Sequence, residues 1–233
     1  MPTLVSLEEA AALIHDGMTI MVGGFMGCGT PHDLIDVLAD SDVKDLTVIC
    51  NDASMPGGPM KEEHYGVAKL VHNHQVKRFI ATHVGLNPEV AKQSMEDKTL
   101  EVILVPQGSL AEMIRAGGAG LGGVLTPTGV GTIVEDSPLC LGKQTIHGKE
   151  YLMMDAIRAD VAIVAGSVVD PKGNIWYRGA TSNFNPLMAT AADTVIVEAE
   201  EIVYLGYIRP EDVRTQSIYV DYVVRGGKKR GTV

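Results

Sequence analysis

Residues 16–31, DGMTIMVGGFMGCGTP, constrain more than any other stretch what this chain can fold into. An apolar run from Met18 to Val22 leads straight into Gly23, Gly24, Gly27 and Gly29 and stops at Thr30-Pro31. The run reads as a buried strand. The Thr-Pro pair reads as a helix start, with Thr30 at the N-cap and Pro31 at the first helical position. Glycines in such a turn let the backbone take positive φ and approach a ligand closely. The N–H groups collected there suit an anion or a developing oxyanion. The stretch therefore specifies an α/β protein that binds a ligand at the end of a strand, and nothing finer.

The same rhythm runs through the first half of the chain. Ser6 and Glu9 form a capping-box pair that opens a helix to about His15, and Gly17 ends it. Pro31 to Ala39 carries Leu34, Ile35, Val37 and Leu38 at helical spacing. Strands are expected at Leu46 to Cys50, Arg78 to Thr82 and Glu101 to Val105. Between them lie a loop over 55–61 (MPGGPMK), a helix to about His72, and a helix from Asn87-Pro88 to about Met95. Ser109, with Glu112 three residues on, caps a further short helix through Arg115. Strand–helix alternation of this kind is the α/β signature.

Residues 116–132, AGGAGLGGVLTPTGVGT, break the alternation and read as loop. A hairpin or irregular strands around Gly142 and Gly148 follow. Strands resume at Val161 to Ala165 and Thr194 to Val197. Between those two strands lie a turn at Asp170 to Gly173 and a helix from Asn185-Pro186 to about Ala192. No repeat or linker interrupts the chain, so residues 1–233 read as a single domain with 226–233 as a flexible tail.

Composition narrows the function by exclusion. A net charge of −10 argues against a general affinity for nucleic acid or anionic membrane, and Lys228-Lys229-Arg230 reads as a frayed tail rather than a binding patch. Cys28, Cys50 and Cys140 are odd in number and widely spaced, which points to a reducing compartment. Cys28 has no activating neighbour and reads as a loop filler. No apolar run is long enough to span a membrane and no signal peptide is evident, so the cytoplasm is the expected location.

Several strings together resemble the alpha-subunit signature of the family I coenzyme A transferases. They are Asp16-Gly17, Ile20-Met21-Val22, Gly23-Gly24-Phe25, Gly29 and Pro31, then PQGSLAEMIRAGGAG at 106–120, TPTGVGT at 126–132 and NFNP at 183–186. The resemblance runs from about Leu4 to Val224. It implies a three-layer α/β/α sandwich around a mainly parallel sheet, related to the sugar-phosphate isomerase type. It also implies transfer of CoA between short-chain acyl groups and a 3-oxoacid or carboxylate, of acetate, butyrate or acetoacetate size. In the family a glutamate carboxylate in a Ser-Glu-Asn-Gly motif of the beta half is the nucleophile. Here no serine precedes a glutamate and no glutamate precedes an asparagine. The resemblance therefore implies a partner beta subunit, in an alpha2beta2 heterotetramer, and inactivity of this chain alone. CoA and acyl-CoA are substrates, and no cofactor is expected.

The resemblance gives Gln107 the role of oxyanion donor, since its amide can donate with no proton transfer. From position alone, Gln107 would be a solvated turn residue. Gly23, Gly24, Phe25, Gly27 and Gly29 are expected to shape the acyl pocket, with the loop's N–H groups as further donors. A turn that merely packs helix on strand is the alternative. Asn51 is a substrate contact or a cap. Gly117, Gly118 and Gly120 offer a surface for close approach of the beta subunit or of substrate. Asn183, Phe184 and Asn185 match a family segment, although Asn185 also suits an N-cap. His64, His72, His74 and His83 lack a Cys or carboxylate at zinc-like spacing, so no metal is expected. Glu198, Glu200 and Glu201 read as a solvated strand end or an interface rim. The rivals are a sugar-phosphate isomerase-like enzyme or deaminase, for which no phosphate-binding cations are visible, and a nucleotide-binding regulatory module. The Gly loop lacks the Lys-Ser/Thr that a P-loop cradle needs.

Overall fold

A computed structural model describes residues 1–58 and 61–226. The expected tail at 226–233, with Lys228-Lys229-Arg230, lies outside the described residues except for Gly226, and so do Pro59 and Met60 of the 55–61 loop. The first half of the chain runs β1 (Thr3–Leu4), α1 (Leu7–Ala11), β2 (Thr19–Val22), α2 (His32–Ala39), β3 (Leu46–Ile49), α3 (Ala68–His72), β4 (Val76–Ala81), α4 (Pro88–Ala91), β5 (Glu101–Leu104) and α5 (Gln107–Gly118). The second half runs β6 (Val124–Thr126), β7 (Cys140–Ile146), β8 (Lys149–Met154), β9 (Ala159–Val169), β10 (Ile175–Trp176), α6 (Asn185–Met188), β11 (Ala192–Ile202) and β12 (Tyr222–Arg225).

The central sheet has the order β1-β12-β11-β9-β2-β3-β4-β5, with every neighbouring pair parallel. Only β10, laid antiparallel on β9, departs from this. Alternate side chains of each strand enter two separate cores, as the period-2 geometry of a strand requires. Ile20, Val22, Val48 and Phe79 pack under α1–α4, whereas Met21, Ile49 and Ile80 pack against α5, α6 and β8. Both strand faces are apolar because both are covered, which is why these strands read as unbroken hydrophobic runs. Burying a side chain such as Phe79, fully enclosed here, contributes about 1.5–3 kcal/mol.

The layer on the α5 side is not purely helical. A three-stranded antiparallel sheet, β6-β8-β7, occupies part of it, with the β7–β8 turn at His147-Gly148. The 116–132 stretch is thus not all loop: it supplies the end of α5 and all of β6. Among the described residues, no helix is long and apolar enough to cross a membrane.

Strand β2 sits where the chain order reverses. From it the strands proceed outward as β3, β4, β5 on one side and β9, β11, β12 on the other. Open parallel sheets bind ligands at the carboxyl ends of their strands beside such a reversal. The Gly loop follows β2 at that point.

Candidate active site

Three segments meet at this carboxyl edge: the Gly loop after β2, Asn51-Asp52 after β3, and Gln107 after β5. Asn51 and Asp52 are buried and Gln107 is exposed. The Gln107 Nε2 donates to Asn51 Oδ1 at 2.6 Å. Thr82 Oγ1, at the end of β4, donates to the Asn51 backbone oxygen at 2.8 Å and to its Oδ1 at 3.2 Å. Asn51 Nδ2 donates in turn to Asp52 Oδ2 at 2.8 Å. The same Asp52 oxygen accepts from the backbone N–H of Met26 in the Gly loop, and Oδ1 accepts from Ser54 N–H. Asn51 and Asp52 therefore clamp the Gln107 amide and the Gly loop into one hydrogen-bonded unit. One N–H of Gln107 is committed to Asn51, which leaves the amide a second N–H to donate.

Gln107 is the first residue of α5, and no side chain caps that helix. The expected Ser109 cap is corrected: Ser109 lies buried inside α5, and Glu112 pairs with Arg115 at 2.8 Å instead. The first N–H groups of a helix have no partner within it. An oxyanion beside Gln107 would meet both the side-chain amide and this partly positive helix end.

The Gly loop is closed on itself. Phe25 and Cys28 exchange two backbone hydrogen bonds, of 3.0 and 2.8 Å. Gly23 N–H bonds Ile163 and Met26 N–H bonds Asp52, so four of the loop's expected donors are spent internally. A side chain at Gly24, where φ is +118°, would lie 1.9 Å from Thr30 Oγ1, and one at Gly27 would lie 2.0 Å from the Tyr65 ring. Those glycines serve close packing of the chain on itself. Phe25, 44% exposed, is the loop residue that faces outward.

The helix start also differs. Helix α2 begins at His32 with Pro31 in the cap position, and Thr30 makes no cap hydrogen bond. The cap comes from across the sheet. Glu198 of β11 accepts from Leu34 N–H at 2.8 Å. Glu198 is buried, not the solvated strand end expected, and burial pushes its carboxyl up to about 8 against the opposing pull of the helix N–H groups. The anion seat at α2 is filled by the chain's own carboxyl, which leaves no cradle there for a nucleotide phosphate. Glu200 pairs with Arg178 at 3.2 Å, and Glu201 is exposed.

Asn185 is likewise no cap. It is fully buried as the first residue of α6, and its Nδ2 donates to the backbone oxygens of Gly29 and Thr181 at 2.8 Å each. Its Oδ1 accepts from Ala165 N–H, and Asn183 Nδ2 donates to the Cys28 oxygen. The NFNP segment thus fastens the Gly loop onto β9. Replacing Asn185 with alanine removes the partner of three backbone groups, two of them in buried hydrogen bonds. We expect a loss of about 2–3 kcal/mol in urea unfolding, with an unchanged m-value.

Gly117 and Gly118 lie in the last turn of α5, about 15 Å along the helix from Gln107. Side chains there would meet the Ile157 oxygen at 2.0 Å and Thr190 Oγ1 at 2.3 Å. Their close approach in the chain itself is to Ile157 and Thr190; Gly120 is exposed with nothing near its Cβ position. The Cys28 thiol is pushed up by burial and by the Glu200 carboxylate, the opposite of what a thiolate nucleophile needs. The histidines have no carboxylate at zinc-like spacing along the chain, yet the fold brings Glu89 to His64 and His72, with ligand atoms within 4.8 Å of one another. No local spacing could have shown this.

Residues 4–226 match the family described as Coenzyme A transferase. Over 222 residues the chain is 46% identical to the acetoacetyl-CoA:acetate/butyrate CoA transferase alpha subunit of Clostridium acetobutylicum, covering 95% of this chain and 97% of that one. The chain belongs to the coenzyme A transferase family, as an alpha subunit. It is also 44% identical to the alpha subunit of the acetate CoA-transferase of Escherichia coli K12, over 95% of this chain and 96% of that one. To one subunit of a probable succinyl-CoA:3-ketoacid coenzyme A transferase of Bacillus subtilis it is again 44% identical, over 97% and 90% of the two chains. Among solved structures, an acyl-CoA transferase from E. coli O157:H7, in a thioester complex with CoA, superposes with a TM-score of 0.84 at 23% identity. That match covers 99% of this chain and 48% of the other, so the present chain spans about half of that longer one. At such identity the likeness establishes the fold.

Proposed function

We propose that this CoA transferase alpha subunit works with a separate beta chain to move CoA between a short-chain acyl-CoA and a 3-oxoacid or short-chain carboxylate. Acetate, butyrate and acetoacetate are the acids in view. The observation that carries this reading is the Gln107–Asn51 pair at the carboxyl edge of the sheet, exposed on its outer side and backed by the uncapped start of α5. It offers donors for an oxyanion and no nucleophile of its own. In the reaction we propose, a partner glutamate carboxylate attacks the thioester carbonyl, and the carbonyl π electrons move to oxygen. That oxyanion collapses as the CoA thiolate leaves, giving a mixed anhydride. The thiolate then attacks the glutamyl carbonyl, releasing the first acid and leaving a glutamyl-CoA thioester for the second acid to take up. Gln107 donates to the oxyanion at each tetrahedral stage. The choice of acids follows the relatives: one similar chain belongs to an enzyme of acetate and butyrate, while a probable succinyl-CoA:3-ketoacid transferase chain is nearly as similar. An alpha2beta2 assembly is the arrangement we propose for the complex.

The test is CoA transfer from acetoacetyl-CoA to acetate, with this chain alone, the candidate beta chain alone, and the two mixed. Activity only on mixing is expected, with a hydroxylamine-sensitive thioester on the beta chain. Activity from this chain alone would overturn the division of roles.

A further inference from the structure

Away from the transferase site, three ligand-type side chains from three different elements come together on the α3–α4 side. His64 lies in the segment before α3, His72 ends α3, and Glu89 stands in the first turn of α4. The two imidazoles are stacked, with centroids 3.7 Å apart and planes at 22°. His72 Nδ1 lies 2.9 Å from one Glu89 oxygen and 3.2 Å from the other. Half of the His72 side chain and about a third of that of Glu89 remain exposed. A cavity of about 180 Å³, bordered by His72, His74, Glu89, Lys92, Gln93 and Asp97, opens beside His72 and Glu89.

We propose that His64, His72 and Glu89 form a binding site for a divalent transition-metal ion, with Zn²⁺ the best match. Two imidazole nitrogens and one carboxylate are the donor set of open zinc sites, in which a water completes the tetrahedron. Hard ions such as Mg²⁺ and Ca²⁺ want oxygen donors and are poorly served by two imidazoles. Zinc-to-donor distances of about 2.0–2.1 Å place tetrahedral donors about 3.3 Å apart. His72 and Glu89 are already that close, and all three donor atoms lie within 4.8 Å. The remaining adjustment is a rotation of the His64 ring out of its stack on His72, because an imidazole binds a metal in its own plane and two rings stacked at 3.7 Å do not share one. The nearby Lys69 ammonium is held by Asp36 at 2.5 Å and approached by Glu62 at 3.7 Å, which offsets its repulsion of a cation.

The position of His64 gives the ion something to act on. The next residue, Tyr65, is 1% exposed, stacks on His32 at 4.5 Å and directs its hydroxyl to the Gly27 oxygen at 3.4 Å. An ion joining His64 to α3 and α4 therefore ties down the segment that covers the back of the Gly loop. Any ligand that binds only the folded chain also raises its stability.

The experiment uses the full chain without a histidine tag, stripped with chelator, in a non-coordinating buffer. Calorimetric titration with Zn²⁺ is expected to show one ion per chain with a Kd in the micromolar range. Co²⁺ is expected to give the visible d–d bands of a four-coordinate site, and saturating Zn²⁺ to raise Tm. His72→Ala should abolish all three signals, Glu89→Gln should weaken binding at least tenfold, and His74→Ala should leave it unchanged. Binding that survives His72→Ala at full strength, or no stoichiometric binding in the parent chain, overturns the site. None of these readouts uses transferase activity, so failure here is distinct from failure of the proposed function.

Discussion

Replacing Gln107 with alanine should lower kcat of the assembled transferase by about 10²–10³-fold, equivalent to the loss of one oxyanion donor. KM should move little, because an oxyanion exists only along the reaction path and its donor is not needed to hold the ground state. Assembly and folding should be spared. The side chain is exposed, and its hydrogen bond is to Asn51, which retains Thr82 as a second donor after the change. Asn51→Ala provides the comparison. It removes the acceptor that fixes the amide's orientation, so a smaller fall in kcat is expected with Gln107 still present. Both variants are read in the acetoacetyl-CoA to acetate assay beside size-exclusion profiles of the complex. Unchanged turnover in Gln107→Ala would remove this side chain from the reaction. A fall confined to KM would make it a binding residue.

Strand β3 is legible in the sequence because LTVI is apolar on nearly every position of both faces, and the edge strand β5 because EVIL carries three apolar residues in a row. For β9 and β11 the local pattern marks less than half of the true eleven residues. Gly166 and Ser167 interrupt the first, and Glu198, Glu200 and Glu201 the second, and the long mutual pairing of the two strands overrides these local breaks. The Ser-x-x-Glu pattern holds at Ser6–Glu9, where both cap hydrogen bonds form, and misleads at Ser109–Glu112, where the helix takes its cap at Pro106, three residues earlier. What local sequence cannot show are the joins between distant segments. Gln107 meets Asn51 across two strand positions, Asn185 reaches Gly29 from 156 residues away, and Glu198 reaches Leu34 from 164. Each depends on sheet order, and sheet order is not written in any window of the chain.

Glu198→Gln should stabilise the chain at pH 8 and leave it nearly unchanged at pH 5. The carboxyl's ordinary value is 4.5 and burial in the folded chain raises it to about 8. Below about pH 4.5 it is protonated both folded and unfolded, and its contribution to stability is fully present. Between 4.5 and 8 the unfolded chain ionises while the folded chain keeps the proton, so stability falls as pH rises. At 1.36 kcal/mol per pKa unit, the whole window is worth at most about 4–5 kcal/mol. Glutamine keeps a carbonyl to accept from Leu34 N–H but has no charge to desolvate, so its guanidinium midpoint should vary less between the two pH values. The competing force is the end of α2, whose N–H groups favour the carboxylate by up to about 2 kcal/mol. The 7% exposure of Glu198, with the Asp33 and Asp36 charges close by, decides for the neutral form. A parent chain more stable than the glutamine variant at pH 8 would mean that the helix wins and an ionised Glu198 caps α2. In either case Glu198 occupies the α2 terminus, whereas the start of α5, with Gln107 on it, carries no side-chain cap and is the donor set we propose for an incoming acyl group.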